Sequence, residues 1–434
     1  MALRSFKLTS KLPFRRKPIP AIAGDSPAEL SIPSHFLCPI SLDLMKDPVI
    51  LPSGITFDRS SIETWLEAGN DTCPLTKKPL FAADLIPNHT IRRMIQDWCV
   101  AHRSLGIERI PTPKTPITSL QVDDLLSEIS AAHLRGNAIQ CAELVAKLNN
   151  WASESDRNRR CISSNGASRV VSAVFEDFPS EQVLSALAGM LPFDEVARRK
   201  LVSEKSLHSI VSVMKNGNLS GRLNAVLVVK EMVSANNEDC GIIARSDELI
   251  EALVKLLKEP ISPAATKASL VAAYYLASGN KRAASRLAEM GIVSLILEMI
   301  VDSDRSFCEK GLAVLDVILS SEAGRKMAAC HDLAIPVLVK KMVRVSDMAT
   351  EFAVSATWKL CKKQGNHVGK GEEEKCLKEA VEVGAFQKLL LMLQVGCSES
   401  TKEKVSELLR MLNGVRGRTE CIDSADFKGL KRPF

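Results

Sequence analysis

Two Cys-Pro pairs, Cys38-Pro39 in "FLCPISLDLMKDPVILPSGITFD" and Cys73-Pro74 in "DTCPLTKKPL", are spaced as the knuckles of a cross-braced two-zinc fold would be. Such a fold needs eight ligands, usually Cys and His in CxxC-type pairs. Between residues 31 and 102 the candidates are His35, Cys38, Cys73, His89, Cys99 and His102, with no CxxC among them. Two zinc ions cannot be held by that set, so no metal is expected. Cys38 and Cys73 then read as small buried hydrophobes rather than nucleophiles. Further along, His133, His208, His331 and His367 stand alone, with no HExxH pair and no acidic partner at helical spacing, and read as surface or core histidines. The 12 cysteines follow no disulfide framework and no secretory signal accompanies them. Free thiols in a reducing compartment are expected.

Without metal, something else must brace the two loops. Asp47, Ser53, Thr56, Asp58, Arg59 and Glu63 are unusually polar for so small a fold, and a hydrogen-bond and ion-pair network among them is expected to replace zinc. The elements that would position them are short. "PVILPSGITFD" predicts two β-runs around a Pro-Ser-Gly turn. Asp58 stands in the N-cap place of a helix "RSSIETWLEAG" that Gly69 ends. Asn88 is placed to cap a second helix, "HTIRRMIQDWCV", whose Ile91, Met94, Ile95 and Trp98 recur at 3.6 spacing and form its apolar face. Ile62 and Leu66 can face the small core, which leaves Trp65 on a rim where a large aromatic has little structural reason to be.

Beyond this unit a phrase recurs: a small residue or Gly, then an apolar doublet. It appears as "GASRVVSAVF" at Gly166, "SLHSIVSVM" at Ser206, "LIEALVKLL" at Leu249, "GIVSLILEMI" at Gly291, "LAIPVLVKKM" at Leu333 and "GAFQKLLLML" at Gly384. Four of the five intervals are about 40 to 43 residues, the period of one armadillo or HEAT unit, and "KKQGNHVGKGEEEK" lengthens the last. Each phrase starts an apolar helix, followed by a second such as "LNAVLVVKEMV" or "KASLVAAYYLA" that is apolar on nearly all faces, as a helix sandwiched between repeats must be. Residues 120–415 therefore resemble an armadillo-type α-solenoid, although Leu249 and Leu333 depart from the family's Gly.

Composition supports this division. Of the 434 residues 46% are hydrophobic and 25% charged, enough to bury a core, and only 4% are aromatic, which favours helices packed through Leu, Ala and Val. The net charge of +6 resides in Arg4, Lys7, Lys11, Arg15, Arg16 and Lys17, all ahead of the first acidic residue, Asp25. The remaining chain is balanced, with no basic stripe for nucleic acid. The basic segment reads as a disordered tail, with an organelle transit peptide as the alternative; prolines 13, 18 and 20 would break an amphipathic helix there. No apolar run reaches the length of a membrane span, about 18 residues. The expected organisation is a tail over 1–30, the small fold over 31–105, a Pro-containing linker over 106–119, the repeats over 120–415 and a C-terminal tail over 416–434.

"SIPSHFLCPISLDLMKDPVILPSGITFDRSSIETWL", "CPLT" and "LIPNHTIRRMIQDW" together resemble the U-box, the zinc-free relative of the RING, and a U-box ahead of armadillo repeats resembles the plant U-box ubiquitin-protein ligases. The fold implied is mostly α: a small RING-like U-box of ββα form plus a C-terminal helix, then the solenoid. The resemblance implies a scaffold that holds a ubiquitin-charged conjugating enzyme while a substrate lysine attacks, acting by proximity and orientation without a covalent intermediate or cofactor. It places Ile40 and Leu42 on the first loop's enzyme contacts, Trp65 on the helix contact and Pro74 on the second loop's contact. Lys77 falls where such ligases often carry a basic linchpin that bridges the conjugating enzyme and ubiquitin. The neighbouring Lys78 keeps open a reading of Lys77 as a solvated loop lysine. The partners implied are the conjugating enzyme, ubiquitin and a protein substrate recruited by the array, in stress or defence signalling, in the cytoplasm, the nucleus or at a membrane periphery. A homo-oligomer stays open. The rival reading is a non-catalytic armadillo adaptor with an inactive U-box; polar or missing contact residues would favour it, and here they are apolar and complete.

Overall fold

The computed structural model describes residues 32–80, 85–105, 107–110, 116–235, 237–362 and 370–416. The chain divides into two compact units, residues 1–115 and 116–434.

In the first unit, β1 (Pro48–Ile50) pairs antiparallel with β2 (Thr56–Asp58), Val49 opposite Phe57. The hairpin turns at Gly54, which adopts φ +80° where a side chain would be strained. A third short strand, β3 (Ile86–Pro87), adds to the other edge of β1. Helix α1 (Arg59–Glu67) leaves β2 directly, and α2 (His89–Ala101) follows β3. Among the described residues eleven buried side chains make the core, including Phe36, Met45, Val49, Phe57, Ile62 and Ile95. Asn88 caps α2 as expected, its Oδ1 accepting from the Ile91 N–H at 3.1 Å. Met94 is exposed, contrary to its expected place on the apolar face. The helix is rotated so that Ile95 and Cys99 are buried and Arg92 is turned inward to an ion pair with Asp47.

The second unit is built from triplets of helices. Its short first helices are α5 (Asp156–Ser164), α8 (Glu195–Leu201), α11 (Asn237–Ile243), α14 (Lys281–Glu289), α17 (Glu322–Ala329) and α20 (Lys370–Glu382). The second helices are α6 (Ala167–Asp177), α9 (Glu204–Asn216), α12 (Asp247–Lys258), α15 (Ile292–Ile300), α18 (Ala334–Lys341) and α21 (Ala385–Val395). The third are α7 (Glu181–Ala188), α10 (Leu219–Ala235), α13 (Pro263–Gly279), α16 (Arg305–Ile318), α19 (Asp347–Cys361) and α22 (Glu399–Arg416), with α3 (Ser119–Leu134) and α4 (Ala138–Glu154) ahead of all six triplets.

The recurring phrases are the second helices and the all-round apolar segments the third, so the sequence pattern missed one helix per repeat. Most of these first helices are short, and α5, α8, α14 and α17 carry two or three Arg or Lys with few large apolar side chains, so they leave little periodicity to read. Ser206 and Leu249 lie inside the first turns of α9 and α12, whose caps are Ser203 and Ser246. Gly166, Gly291 and Gly384 take positive φ just ahead of their helices. Leu333 keeps an ordinary φ of −85° and makes the same junction without Gly. The third helices stack in one continuous series, α4 on α7, α7 on α10, α10 on α13, α13 on α16, α16 on α19 and α19 on α22, which explains why they are apolar on so many sides. The first helix of one triplet packs back on the second helix before it: α8 on α6, α14 on α12, α17 on α15, α20 on α18.

Three of the four array histidines are paired across helices. His133 Nε2 lies 2.9 Å from Asp177, His208 3.8 Å from Glu248 and His331 4.0 Å from Glu298. These carboxylates are remote in sequence, so no helical spacing announced them. His367 lies outside the described residues. Among the described residues no helix is long and apolar enough to cross a membrane, and no three His, Cys, Asp or Glu side chains cluster as metal ligands.

Candidate functional site

The two Cys-Pro loops are copies of one turn. In the first, the Leu42 N–H donates to the Cys38 carbonyl at 2.8 Å and the Cys38 N–H to the Asp43 carbonyl at 2.9 Å. In the second, Lys77 donates to Cys73 at 2.9 Å and Cys73 to Lys78 at 2.8 Å. The fourth residue past each Cys, Leu42 or Lys77, is held at φ +60°. This left-handed backbone is uncommon away from Gly and is maintained by the surrounding bonds.

The thiols do more than fill space, which amends their reading as simple hydrophobes. The Asp58 N–H donates to Cys38 Sγ at 3.3 Å, and Ser53 Oγ lies 3.7 Å from Cys73 Sγ. Burial works to raise both thiols. For Cys38 the N–H groups of Ser41, Asp58 and Ile40 and the Ser61 hydroxyl outweigh it; for Cys73 the Thr76 hydroxyl, the Thr76 and Leu75 N–H groups and Ser53 do so. Each sulfur thus sits below the usual cysteine value inside a ring of donors, the place a metal-bound thiolate would occupy, with hydrogen bonds in the role of the ion.

The polar residues divide into three groups. Asp47 joins two arginines, accepting from Arg59 Nε at 2.7 Å on one oxygen and from Arg92 on the other. Glu63 lies 3.8 Å from Arg59 at i,i+4. Asp58 occupies the N-cap position of α1 but makes no side-chain cap bond. Its Oδ1 instead accepts from the backbone of Lys46 at 2.7 Å and Asp47 at 2.9 Å, and its Oδ2 from Ser60 at 2.6 Å, tying the first loop to the helix start. Thr56 Oγ1 accepts from Asn88 Nδ2 at 3.1 Å, which links β2 to the α2 cap.

On the outside of this frame lie the candidate contact residues. Ile40 and Leu42 are exposed, Leu42 by 72%. Pro74 is half-buried. Trp65 is half-buried too: it packs on the small core, and its indole N–H donates to the Thr72 carbonyl at 2.8 Å. It therefore both covers the core edge and fixes the approach to the second loop. Lys77 Nζ stands 5.9 Å from the Trp65 ring centroid, within cation–π range. Helix α1 thus carries Cys38 near Ser61 at one end and the second loop against Trp65 at the other. Leu75, 56% exposed, holds the place in the second loop that Ile40 holds in the first. Sequence reading passed it over, although laying "CPISL" against "CPLTK" would have found it.

In the array, half-buried side chains on the third helices form a second candidate surface. Tyr274 and Phe352 meet edge to face with centroids 6.5 Å apart. Lys359 bonds Asp316 at 2.8 Å. Trp358 donates to Glu407 at 2.6 Å, and Lys362 lies 4.2 Å over its ring.

Residues 32–104 match the U-box domain family, and residues 121–431 match the family described as the plant U-box protein ARM repeat region. The chain is 42% identical to U-box domain-containing protein 21 of Arabidopsis thaliana, over 94% of both proteins. It is 33% identical to E3 ubiquitin-protein ligase PUB23 of the same plant, over 91% of this chain and 96% of that one. A crystal structure of an engineered protein superposes at TM-score 0.50 with 18% identity, over 67% of this chain and 68% of that one, a likeness of fold alone.

Proposed function

The chain belongs to the plant U-box proteins with an ARM repeat region, and we infer from that membership and from the frame just described that it is a U-box ubiquitin-protein ligase. A ubiquitin-charged conjugating enzyme docks on the U-box, and the array recruits the protein substrate. The observation that carries this reading is the pair of matched loops. They hold Ile40, Leu42, Pro74 and Leu75 outward, at matching places in the two turns, on a frame fixed from behind by Asp47, Asp58 and two cysteines. A pre-organised apolar rim suits docking of a partner, because little order has to be created on binding.

In this reading the U-box supplies no nucleophile. Ile40, Leu42, Trp65, Pro74 and Leu75 bind the conjugating enzyme. Lys77, already directed by its backbone and the Trp65 ring, reaches carbonyl oxygens of the enzyme and of ubiquitin together. The thioester is thereby held in a pose open to attack by an amine. Lys offers charge and three donors but not the planar fork of Arg, so its bridge is weaker than an Arg would make. The aromatic and ion-paired face around Tyr274, Phe352 and Trp358 is the place where the array meets its substrate, since aromatic side chains with partly exposed rings are common binding anchors. Purified chain, activating enzyme, ubiquitin and a panel of conjugating enzymes should yield ubiquitin chains with at least one member of the panel. Silence with every member, alongside retained substrate binding, would turn the assignment to an adaptor.

A further inference from the structure

In one repeat of the array a lysine is buried where the other second helices place an apolar side chain. Counting from the cap residue ahead of each second helix, the eighth residues are Val174, Val211, Val254, Met299 and Met392. In α18 that place belongs to Lys341, only 7% exposed. Its Nζ donates to the Val301 carbonyl at 3.1 Å and to Cys308 Sγ at 3.3 Å. Among the described residues no carboxylate pairs with it. A buried cation is ordinarily matched by an anion, and a Met at this place would carry no desolvation penalty.

Cys308, in the first turn of α16, is 1% exposed. Its sulfur lies 3.4 Å from the Ser303 carbonyl and 3.5 Å from the Ile300 carbonyl. Ser303 and Phe307 line, with Met299, a cleft of about 390 Å³ that brings solvent to the neighbours of the thiol. Burial closes the sulfur to bulky thiols, whereas a peroxide is little larger than water.

We propose that Lys341 and Cys308 form a modification site, at which hydrogen peroxide drives a covalent N–S cross-link between α18 and α16. Peroxide transfers a hydroxyl to Sγ, its O–O bond breaks, and the thiol proton leaves in water; the sulfur is oxidised by two electrons to the sulfenic acid. One ammonium proton of Lys341 then passes to solvent. The freed Nζ lone pair attacks the sulfur, the S–O bond breaks, and the hydroxyl leaves as water with a second proton of the nitrogen. Contact at 3.3 Å gives this amine the advantage of proximity over any dissolved nucleophile. The product is neutral, so the buried charge disappears. The bond closes a loop between residues 33 apart and ties two consecutive triplets together.

The test treats three full-length forms with hydrogen peroxide: the parent, Lys341→Met and Cys308→Ser. Each is quenched in denaturant with dimedone, digested and weighed by mass spectrometry. In the parent the Cys308 and Lys341 peptides should be joined, the pair ~2 mass units lighter than their sum and separable by dithiothreitol. Neither variant should give the joined pair, and in Lys341→Met, whose new residue matches Met299 and Met392, dimedone should label Cys308. The array of the parent should melt several degrees higher after oxidation and return on reduction, with no such rise in the variants. Dimedone labelling of Cys308 that is equal in the parent and Lys341→Met, with no joined pair, overturns the proposal. So does an unmodified Cys308 at a peroxide level that oxidises the exposed Cys330. A joined pair ~14 mass units heavier than the sum keeps an oxygen between the two atoms and overturns the N–S bond.

Discussion

The two units of this protein solve the problem of stability in opposite ways. Among its described residues the U-box buries eleven apolar side chains and ties them with bonds between separate elements: Asp47 to Arg92, Asp58 to the backbone of Lys46 and Asp47, and Cys38 to the Asp58 N–H. The array buries long runs of Leu, Val and Ala, and much of its polar bonding is local, a Ser or Asp closing the first turn of its own helix, as at Ser180, Ser262, Asp304 and Ser346. A small fold has too little surface to bury and concentrates its stability in a few cross-links. A stacked array spreads its stability over many equivalent interfaces. Damage at one point should therefore be global in the first unit and local in the second.

The largest effect expected from that contrast is at Asp47. Asp47→Ala strips two half-buried guanidiniums of their shared acceptor, and should lower the stability of the U-box by about 2–3 kcal/mol. Calorimetry of the full chain should show the U-box transition falling and the array transition unmoved. In the array, Lys267→Ala removes an exposed pair with Asp304, bonded at 2.9 Å, and should leave the melting of the array close to unchanged. Comparable losses from the two variants would break the comparison.

Next in size are the rim residues, which separate docking from folding. Trp65→Ala should lower both ubiquitin transfer and U-box stability, because the ring covers the core and holds Thr72. Leu75→Ala and Ile40→Ala should reduce transfer by about 10-fold, or ~1.4 kcal/mol of interface energy, with no change in melting. A melting loss for Leu75→Ala equal to that of Trp65→Ala would place Leu75 in the core. Cys38→Ala should cost about 1 kcal/mol by leaving the Asp58 N–H without an acceptor, and Cys38→Ser, which keeps one, should cost less. Chemical denaturation of the two variants side by side decides it.

The smallest effect, and the sharpest, is at Lys77. Its φ of +60° is a conformation Gly adopts without strain, so Lys77→Gly should raise U-box stability by about 0.5–1 kcal/mol while slowing discharge of the ubiquitin thioester. Lys77→Arg should discharge at or above the parent rate. Unaltered discharge by Lys77→Gly would reduce Lys77 to a surface residue.

Much of this was visible in the sequence because local chemistry announced it. Asp47, Asp58 and Arg59 stood out as too many charges for a small fold, and the period of the array was set by repeated apolar doublets. What was hidden has a common cause: it depends on residues brought together from a distance. Arg92 sits on a helix whose spacing nominated Met94 for the inner face; Ile91, Ile95 and Trp98 do pack on the core, but Arg92 turns inward to Asp47, 45 residues away, and Met94 is left exposed. Asp58 looked like a cap because of where it stands, but the loop of Lys46 and Asp47 supplies better donors. The pairing of His133 with Asp177 joins α3, ahead of the triplets, to α6 of the first triplet. Leu75 is the exception, legible from the sequence once the two Cys-Pro turns are seen as copies.

The central claim is that the matched loops of the U-box dock and activate a ubiquitin-charged conjugating enzyme. Its most direct test is single-turnover discharge of that enzyme's ubiquitin to free lysine, comparing no ligase, the full chain, and the full chain carrying Ile40→Ala with Leu75→Ala. The account predicts marked acceleration by the parent chain and a rate near that of the enzyme alone for the double variant, with the melting profile of the U-box preserved. Acceleration that survives both substitutions, or none from the parent chain with any conjugating enzyme tried, would contradict it.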